Sequence, residues 1–283
     1  MRWRGERQST NIEDRRGMSA GKVAVGGGLG TIVIMILALL FGVNPQQLLE
    51  QLPSDQQQPG VERPQSANPE EEKLKQFVGV VLAKSEDVWT DVFRRNGRQY
   101  REPTLVLFTD RVQSACGVAG AAVGPFYCPG DEKVYIDLAF YEELRRQFQA
   151  PGDFAQAYVV AHEVGHHVQK LLGITERVDA MSARANEAQA NQLSVRLELQ
   201  ADFFAGVFAR YVQNQNLLEA GDIEEALRAA SAVGDDQIQR RTTGMVVPDS
   251  FTHGTSEQRL RWFRKGYETG DIRQGDTFNT PNL

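Results

Sequence analysis

The feature that most constrains this chain is the stretch Ala157-Tyr158-Val159-Val160-Ala161-His162-Glu163-Val164-Gly165-His166-His167-Val168-Gln169. An apolar lead-in with no Pro, and no Gly before Gly165, predicts a helix. On that helix His162 and His166, four residues apart, project from one face. Two neutral imidazoles at this spacing grip a divalent zinc ion. Glu163 follows His162 directly but is turned roughly 100° around the axis. It therefore addresses a water on the metal rather than the metal itself, as a general base must. His167 is turned by a similar angle from His166 and is not expected to bind metal. The competing reading is an amphipathic surface helix that happens to carry histidines. With only four histidines in the chain, two of them flanking a Glu at ligand spacing argue against it.

Two imidazoles leave a catalytic zinc underbound, so a third ligand is expected. Val195-Arg196-Leu197-Glu198-Leu199-Gln200-Ala201-Asp202-Phe203-Phe204-Ala205-Gly206 offers one. Glu198 and Asp202 again share a helical face, set among apolar residues. A carboxylate buried there is costly unless paired or coordinating. Glu198 as ligand and Asp202 as acceptor for a ligand imidazole satisfy both. The alternative, a solvated acidic face beside Arg196 and Arg210, fits less well with Leu197, Leu199, Ala201 and Phe203 around it.

These two strings together resemble the gluzincin metallopeptidases. Ala161–Gln169 and Glu198–Gly206, with Cys116–Leu138 and His253-Gly254-Thr255-Ser256-Glu257-Gln258-Arg259, are similar more narrowly to the bacterial neutral zinc metallopeptidase family. The likeness covers the chain from about Leu105 onward in four blocks. It departs at Phe203, where many members carry Cys, and neither proposed ligand is touched by that difference. The resemblance implies a peptide or protein substrate, where the spacing alone implies only a zinc-dependent hydrolase. It also implies that His253, downstream of the third ligand, acts as a catalytic donor to the oxyanion, with Arg259 fixing the loop or pairing with a carboxylate.

The remaining sequence sets the organisation. The 283 residues, 41% hydrophobic, suffice for one sizeable core with appendages. A net charge of −6 excludes the basic footprint of a nucleic-acid binder. Residues 1–22 are nonetheless basic and predict a cytoplasmic arm. Val23 to Val43, uncharged, is long enough for one transmembrane helix. The Lys/Arg bias before it places the N-terminus in the cytoplasm and the body on the outer, periplasmic side of the inner membrane. Residues 44–69, rich in Gln and Pro, read as a flexible linker. Residues 70–272 are the expected catalytic domain and 273–283 a frayed tail.

Within the domain the expected class is α+β: helix-dominated with a small β-sheet. Helical spacing runs from Glu70 to Arg95, and Thr104–Phe108 reads as a buried strand. Cys116 and Cys128, the only cysteines, are expected to form a disulfide on the outer side of a membrane, worth roughly 3 kcal/mol. Lys133–Leu138 reads as a strand, either the edge strand that pairs with substrate backbone or an ordinary structural one. Asp153 is the expected N-cap of the zinc helix and Gly173 its terminator. A helix is expected from about Asn186 to Gln213, another from Gly221-Asp222, a loop over Thr242–Asp249, and a last helix capped by Thr255 or Ser256. The expected activity is zinc-dependent peptide hydrolysis with one Zn2+ on His162, His166 and Glu198. Two alternatives stay open: a zinc hydrolase of a non-peptide, cell-wall amide, and a non-catalytic zinc-binding membrane scaffold.

Overall fold

The computed structural model describes residues 1–17, 68–120 and 123–283. Helices dominate, and a four-stranded sheet lies against them in the order β1-β2-β6-β5. Its strands are β1 (Ile12–Asp14), β2 (Thr104–Phe108), β5 (Phe126–Cys128) and β6 (Lys133–Asp137). β1 and β6 both pair in parallel with β2, and β5 runs antiparallel to β6, with Phe126 opposite Tyr135. A separate hairpin joins β3 (Arg111–Ser114) to β4 (Gly117–Gly120). Cys116 and Cys128 are disulfide-bonded, tying that hairpin to β5. Lys133–Asp137 is therefore not the edge strand. It lies inside the sheet, and β5 occupies the edge beside the cleft.

Helix α1 (Pro69–Arg95) starts where its sequence says it should. The Asn68 side chain accepts from the Glu70 amide, Pro69 fills the first turn, and Glu70, Glu71 and Glu72 meet the positive end of the helix dipole. Its Phe77, Val81, Leu82 and Trp89 are buried in the main core with Leu105, Leu107 and Ile136 of the sheet. Each such side chain contributes about 1.5–3 kcal/mol when fully buried. The helices that follow are α2 (Ala139–Arg146), α3 (Asp153–Leu171), α4 (Ile174–Ser182), α5 (Glu187–Asn214), α6 (Asp222–Ala232), α7 (Asp235–Thr242) and α8 (Ser256–Thr269). Asn186 and Thr255 close capping boxes on α5 and α8 with Gln189 and Gln258. Gly173, at φ +73°, ends the zinc helix turn as its sequence suggests. Asp153 is not the cap of α3: Gly152 takes that place, and the Phe154 amide donates to Glu225 of α6 at 3.0 Å. Helix α7 and a short 3-10 turn, Pro248–Ser250, frame the loop expected after Thr242.

Helices α5 and α8 touch backbone to backbone. A Cβ on Gly266 would fall 2.0 Å from the Phe203 carbonyl oxygen, and one on Gly206 would fall 2.1 Å from that of Phe263. Only glycine permits this approach.

Two expectations about the chain ends need correction. The C-terminal residues do not fray. Thr277 is fully buried, its hydroxyl donates to the Arg196 carbonyl at 2.7 Å, and Gln200 Nε2 reaches the Gly275 carbonyl at 2.8 Å. Nor do residues 1–17 form a separate arm. Ile12, Glu13 and Asp14 add β1 to the sheet, Met1 is buried in the main core, and its amino group lies 2.9 Å from Asp153. Arg16 pairs with Glu72 and Lys75 with Asp14 at the start of α1. The expected span at 23–43 lies outside the described residues, as does nearly all of the expected linker. Among the described residues, no helix is long and apolar enough to cross a membrane.

Candidate metal centre

Helices α3 and α5 pack side by side, and Gly165 sets how close they come. A Cβ there would meet the Ala201 carbonyl oxygen at 3.0 Å and its Cα at 3.1 Å. That proximity brings His162 and His166 of α3 against Glu198 of α5. His162 Nε2 is 3.1 Å from one Glu198 oxygen and His166 Nε2 is 3.3 Å from the other. Tetrahedral zinc with bonds near 2.0–2.1 Å separates its ligand atoms by about 3.3 Å. Both imidazole–carboxylate separations match that spacing, and one ligand atom from each of the three side chains lies within 4.8 Å of the others, so the set could hold a zinc ion.

The groups behind the ligands fit it too. His162 Nδ1 donates to Asp202 Oδ1 at 3.0 Å, and His166 Nδ1 donates to Gln169 Oε1 at 2.9 Å. Each bond fixes the ring orientation and leaves Nε2 as the ligand atom. Gln169 is itself held, its Nε2 donating to the Leu197 carbonyl at 2.7 Å. Asp202 is fully buried and also accepts from the Tyr158 hydroxyl at 2.5 Å and from Arg259 Nε at 2.8 Å. Burial alone would raise the Asp202 carboxyl; Arg259 and His162 overcome it and hold it below the usual range. Burial likewise opposes charge on His162, yet Asp202 and Glu198 raise it to about 10. Against the same penalty, His166 and His162 hold Glu198 well below its ordinary value.

Glu163 is 8% exposed and lines the same cleft. Burial pushes its carboxyl up, with His162 and His166 acting in the opposite sense. His253 lines that cleft from the loop before α8. Its ring is placed by Asp235, the first residue of α7. Asp235 Oδ2 accepts the backbone amides of Thr252, His253 and Gly254 at 2.8, 2.6 and 2.9 Å, while Oδ1 lies 3.2 Å from His253 Nδ1. Burial works against charge on His253, but Asp235 and Glu198 raise it above its ordinary value. Nδ1 also lies 3.0 Å from the Thr252 hydroxyl, so with Nδ1 engaged by Asp235 and Thr252 the nitrogen available to a ligand is Nε2. The cleft has a volume of about 370 Å³ and is also lined by Phe126, Tyr127 and Phe140.

The fold thus brings together His162, Glu163, His166, Glu198, Asp202 and His253. It keeps His167 out, buried on the far side with Nε2 donating to the Arg101 carbonyl at 2.6 Å and Nδ1 accepting from Tyr127. Cys116 and Cys128 bind each other and belong to no metal group. Sequence reasoning missed Gln169, Tyr158 and Asp235. The first two were discoverable, lying three residues after His166 and four before His162 on the same helical face. Asp235 carried no such signal, because its partners lie in a loop seventeen or more residues away.

Two imidazoles on one helical turn, a carboxylate between them and Glu198 on the helix packed against that turn make a candidate zinc centre of the His-Glu-x-x-His type. The chain belongs to a particular family of such proteins. The family model described as "Putative neutral zinc metallopeptidase" matches residues 1–278, the N-terminal β1 region included. Similar proteins include the uncharacterized protein YpfJ of Escherichia coli (strain K12), 47% identical over 287 residues, covering 98% of this chain and 99% of that protein. The uncharacterized protein Rv2575 of Mycobacterium tuberculosis (strain ATCC 25618 / H37Rv) is 40% identical over 262 residues, covering 87% and 86% of the two chains. No solved structure matches the chain.

Proposed function

We propose that this protein is a membrane-associated endopeptidase that hydrolyses peptide bonds with one zinc ion held by His162, His166 and Glu198. The observation carrying the proposal is the buried Glu163 carboxyl beside that triad, in a cleft shared with His253. A purely structural zinc site needs no base and closes with a fourth protein ligand. This argues against a non-catalytic scaffold.

When bound, zinc supplies Lewis acidity that polarises a scissile carbonyl and acidifies water. The chain's own groups do the rest. Glu163 accepts the proton lost by the attacking water, and its burial-raised carboxyl suits it to hand that proton to the departing amine nitrogen. The C–N bond then breaks to leave a carboxylate and an amine. His253 Nε2–H donates to the oxyanion that develops on the carbonyl. Asp202 and Gln169 keep the ligand imidazoles in one orientation throughout.

The apolar stretch Val23–Val43 supports attachment to a membrane, by entering the bilayer from one side rather than crossing it, since both of its flanks belong to the same folded body. The Cys116–Cys128 disulfide favours an oxidising compartment for the body. Because residues 1–17 pair with the body, the N-terminal region is assigned to the same side. A cysteine introduced at Arg4 should then react with an impermeant maleimide from outside, and protection of that site in sealed cells would reverse the assignment.

The catalytic reading is tested by Glu163→Gln, which should bind zinc stoichiometrically and lose turnover by several orders of magnitude. His162→Ala, His166→Ala and Glu198→Ala should each lose the metal instead. A Glu163→Gln protein without zinc would make Glu163 a ligand and overturn the proposed roles.

A further inference from the structure

One continuous run of the cleft lining carries a covalent tie. Residues 123–127 and Pro129 line the cleft, and Cys128 sits among them, bonded to Cys116 in the turn between β3 and β4. The strand in that run, β5, spans Phe126–Cys128 and stands at the sheet edge beside β6. A strand this short has few ladder bonds and opens readily. Its successive side chains face opposite ways. Phe126 stacks on Tyr135 at 4.8 Å, and the Tyr127 hydroxyl lies 3.0 Å from Nδ1 of His167 on the zinc helix.

The tie lies outside the main core. Cys128 is buried in a second, smaller cluster with Val106, Phe108, Val112, Ala119 and Tyr135, whereas α3, α5 and α8 pack in the main one. Opening the disulfide therefore loosens the hairpin and β5 and leaves the packing that joins His162, His166 and Glu198 in place. The two cysteines differ in access, Cys116 being partly exposed and Cys128 fully buried. The thiolate of a dithiol accordingly attacks the Cys116 sulfur, the S–S bond breaks, and Cys128 leaves as a thiolate that takes up a proton. The second thiolate of the dithiol then displaces Cys116, which is protonated in turn. The protein gains two electrons and two protons, and the dithiol closes to its own disulfide.

Resting on the peptidase reading above, we infer that the Cys116–Cys128 bond is a redox switch: oxidation seats residues 123–129 as a wall of the cleft, and reduction by a dithiol releases that wall and stops turnover while the metal stays bound. A chain made among reducing thiols then holds an incomplete cleft, and it gains activity where the disulfide forms.

The test uses full-length protein in detergent, loaded with zinc. One sample stays oxidised, a second is reduced with dithiothreitol and desalted without air, and a third is reoxidised with oxidised glutathione. Reduction should lower kcat/KM for an unstructured peptide by about 10–100-fold, and reoxidation should restore it. Zinc content, measured by metal analysis, should not change. Hydrogen exchange, read with and without zinc, should show the amides of β3, β4 and β5 losing protection on reduction while those of α3 and α5 keep theirs. The Cys116→Ala/Cys128→Ala protein should match the reduced form in both readouts and ignore dithiothreitol. Full activity in the reduced form, with β5 still protected, overturns the inference. Loss of zinc or of α3 protection on reduction also overturns it, because the disulfide would then support the whole fold. If no form hydrolyses any peptide, the peptidase reading fails, and exchange still decides the switch: selective opening of β5 upholds it, and unchanged protection overturns it.

Discussion

Arg259 grips Asp202 with two donors, Nε to Oδ2 at 2.8 Å and Nη2 to Oδ1 at 3.1 Å, in a fully buried ion pair. The same Asp202 oxygen that meets Nη2 accepts from His162 Nδ1. Metal ligand, carboxylate and guanidinium thus form one chain of contacts from α3 through α5 to α8. Arg259→Met would strand a buried carboxylate, and such a break costs about 3–5 kcal/mol. Zinc affinity should fall about 10–100-fold as Asp202, the acceptor that orients His162, loses the guanidinium that holds it. Adding Asp202→Leu to Arg259→Met should recover stability but not affinity. Urea denaturation and a chelator competition titration measure the two quantities. Unchanged zinc affinity in Arg259→Met would show that the pair does not support the ligand.

His253 and Asp235 yield a second expectation. His253→Ala should keep full zinc content and near-normal stability while kcat drops by roughly 10²–10³-fold, with KM little changed. Asp235→Asn should lower kcat in the same direction, and the double variant should be scarcely worse than His253→Ala alone, because Asp235 acts through the imidazole. Fully additive losses would give Asp235 a separate task. Loss of zinc in His253→Ala would make that histidine a ligand.

Gly266→Ala tests the close crossing of α5 and α8. By helix propensity the change should stabilise by about 1 kcal/mol. A Cβ 2.0 Å from the Phe203 carbonyl oxygen must instead push the helices apart. The expected net effect is a destabilisation of about 1–3 kcal/mol or more, read as a lower urea midpoint. A midpoint at or above that of the wild type would rule out the backbone contact.

The docking of β1 should depend on acidity. Arg16 and Lys75 hold the Asp14 carboxyl well below its ordinary range, and Lys133 and Arg15 do the same for Glu13. A depressed folded-state value gives a contribution that is complete above the unfolded value of about 4 and fades as pH falls below it. Amides of Ile12–Asp14, corrected for intrinsic exchange, should lose protection below about pH 4 before those of β6. Asp14→Asn should reproduce part of that loss at neutral pH. Identical protection in the variant would mean that the ion pairs contribute nothing to docking.

What the sequence determined by itself is the part whose geometry is local. His162, Glu163 and His166 are related by helical period alone, as are Glu198 and Asp202, so their directions follow once a helix is granted. Asn186 and Thr255 announce helix starts through bonds that span three residues. The tertiary structure decided the rest. No local rule relates Asp235 to the amides of residues 252–254, or assigns Lys133–Asp137 to the interior of a sheet whose edge strand is β5. The largest departure is residues 1–17. Their Arg-rich composition reads as a solvated arm, because ion pairs with Glu72, Lys75 and Lys133 are invisible until strand pairing sets the register. Charge pattern reports what a segment carries, and only packing decides which partner neutralises it.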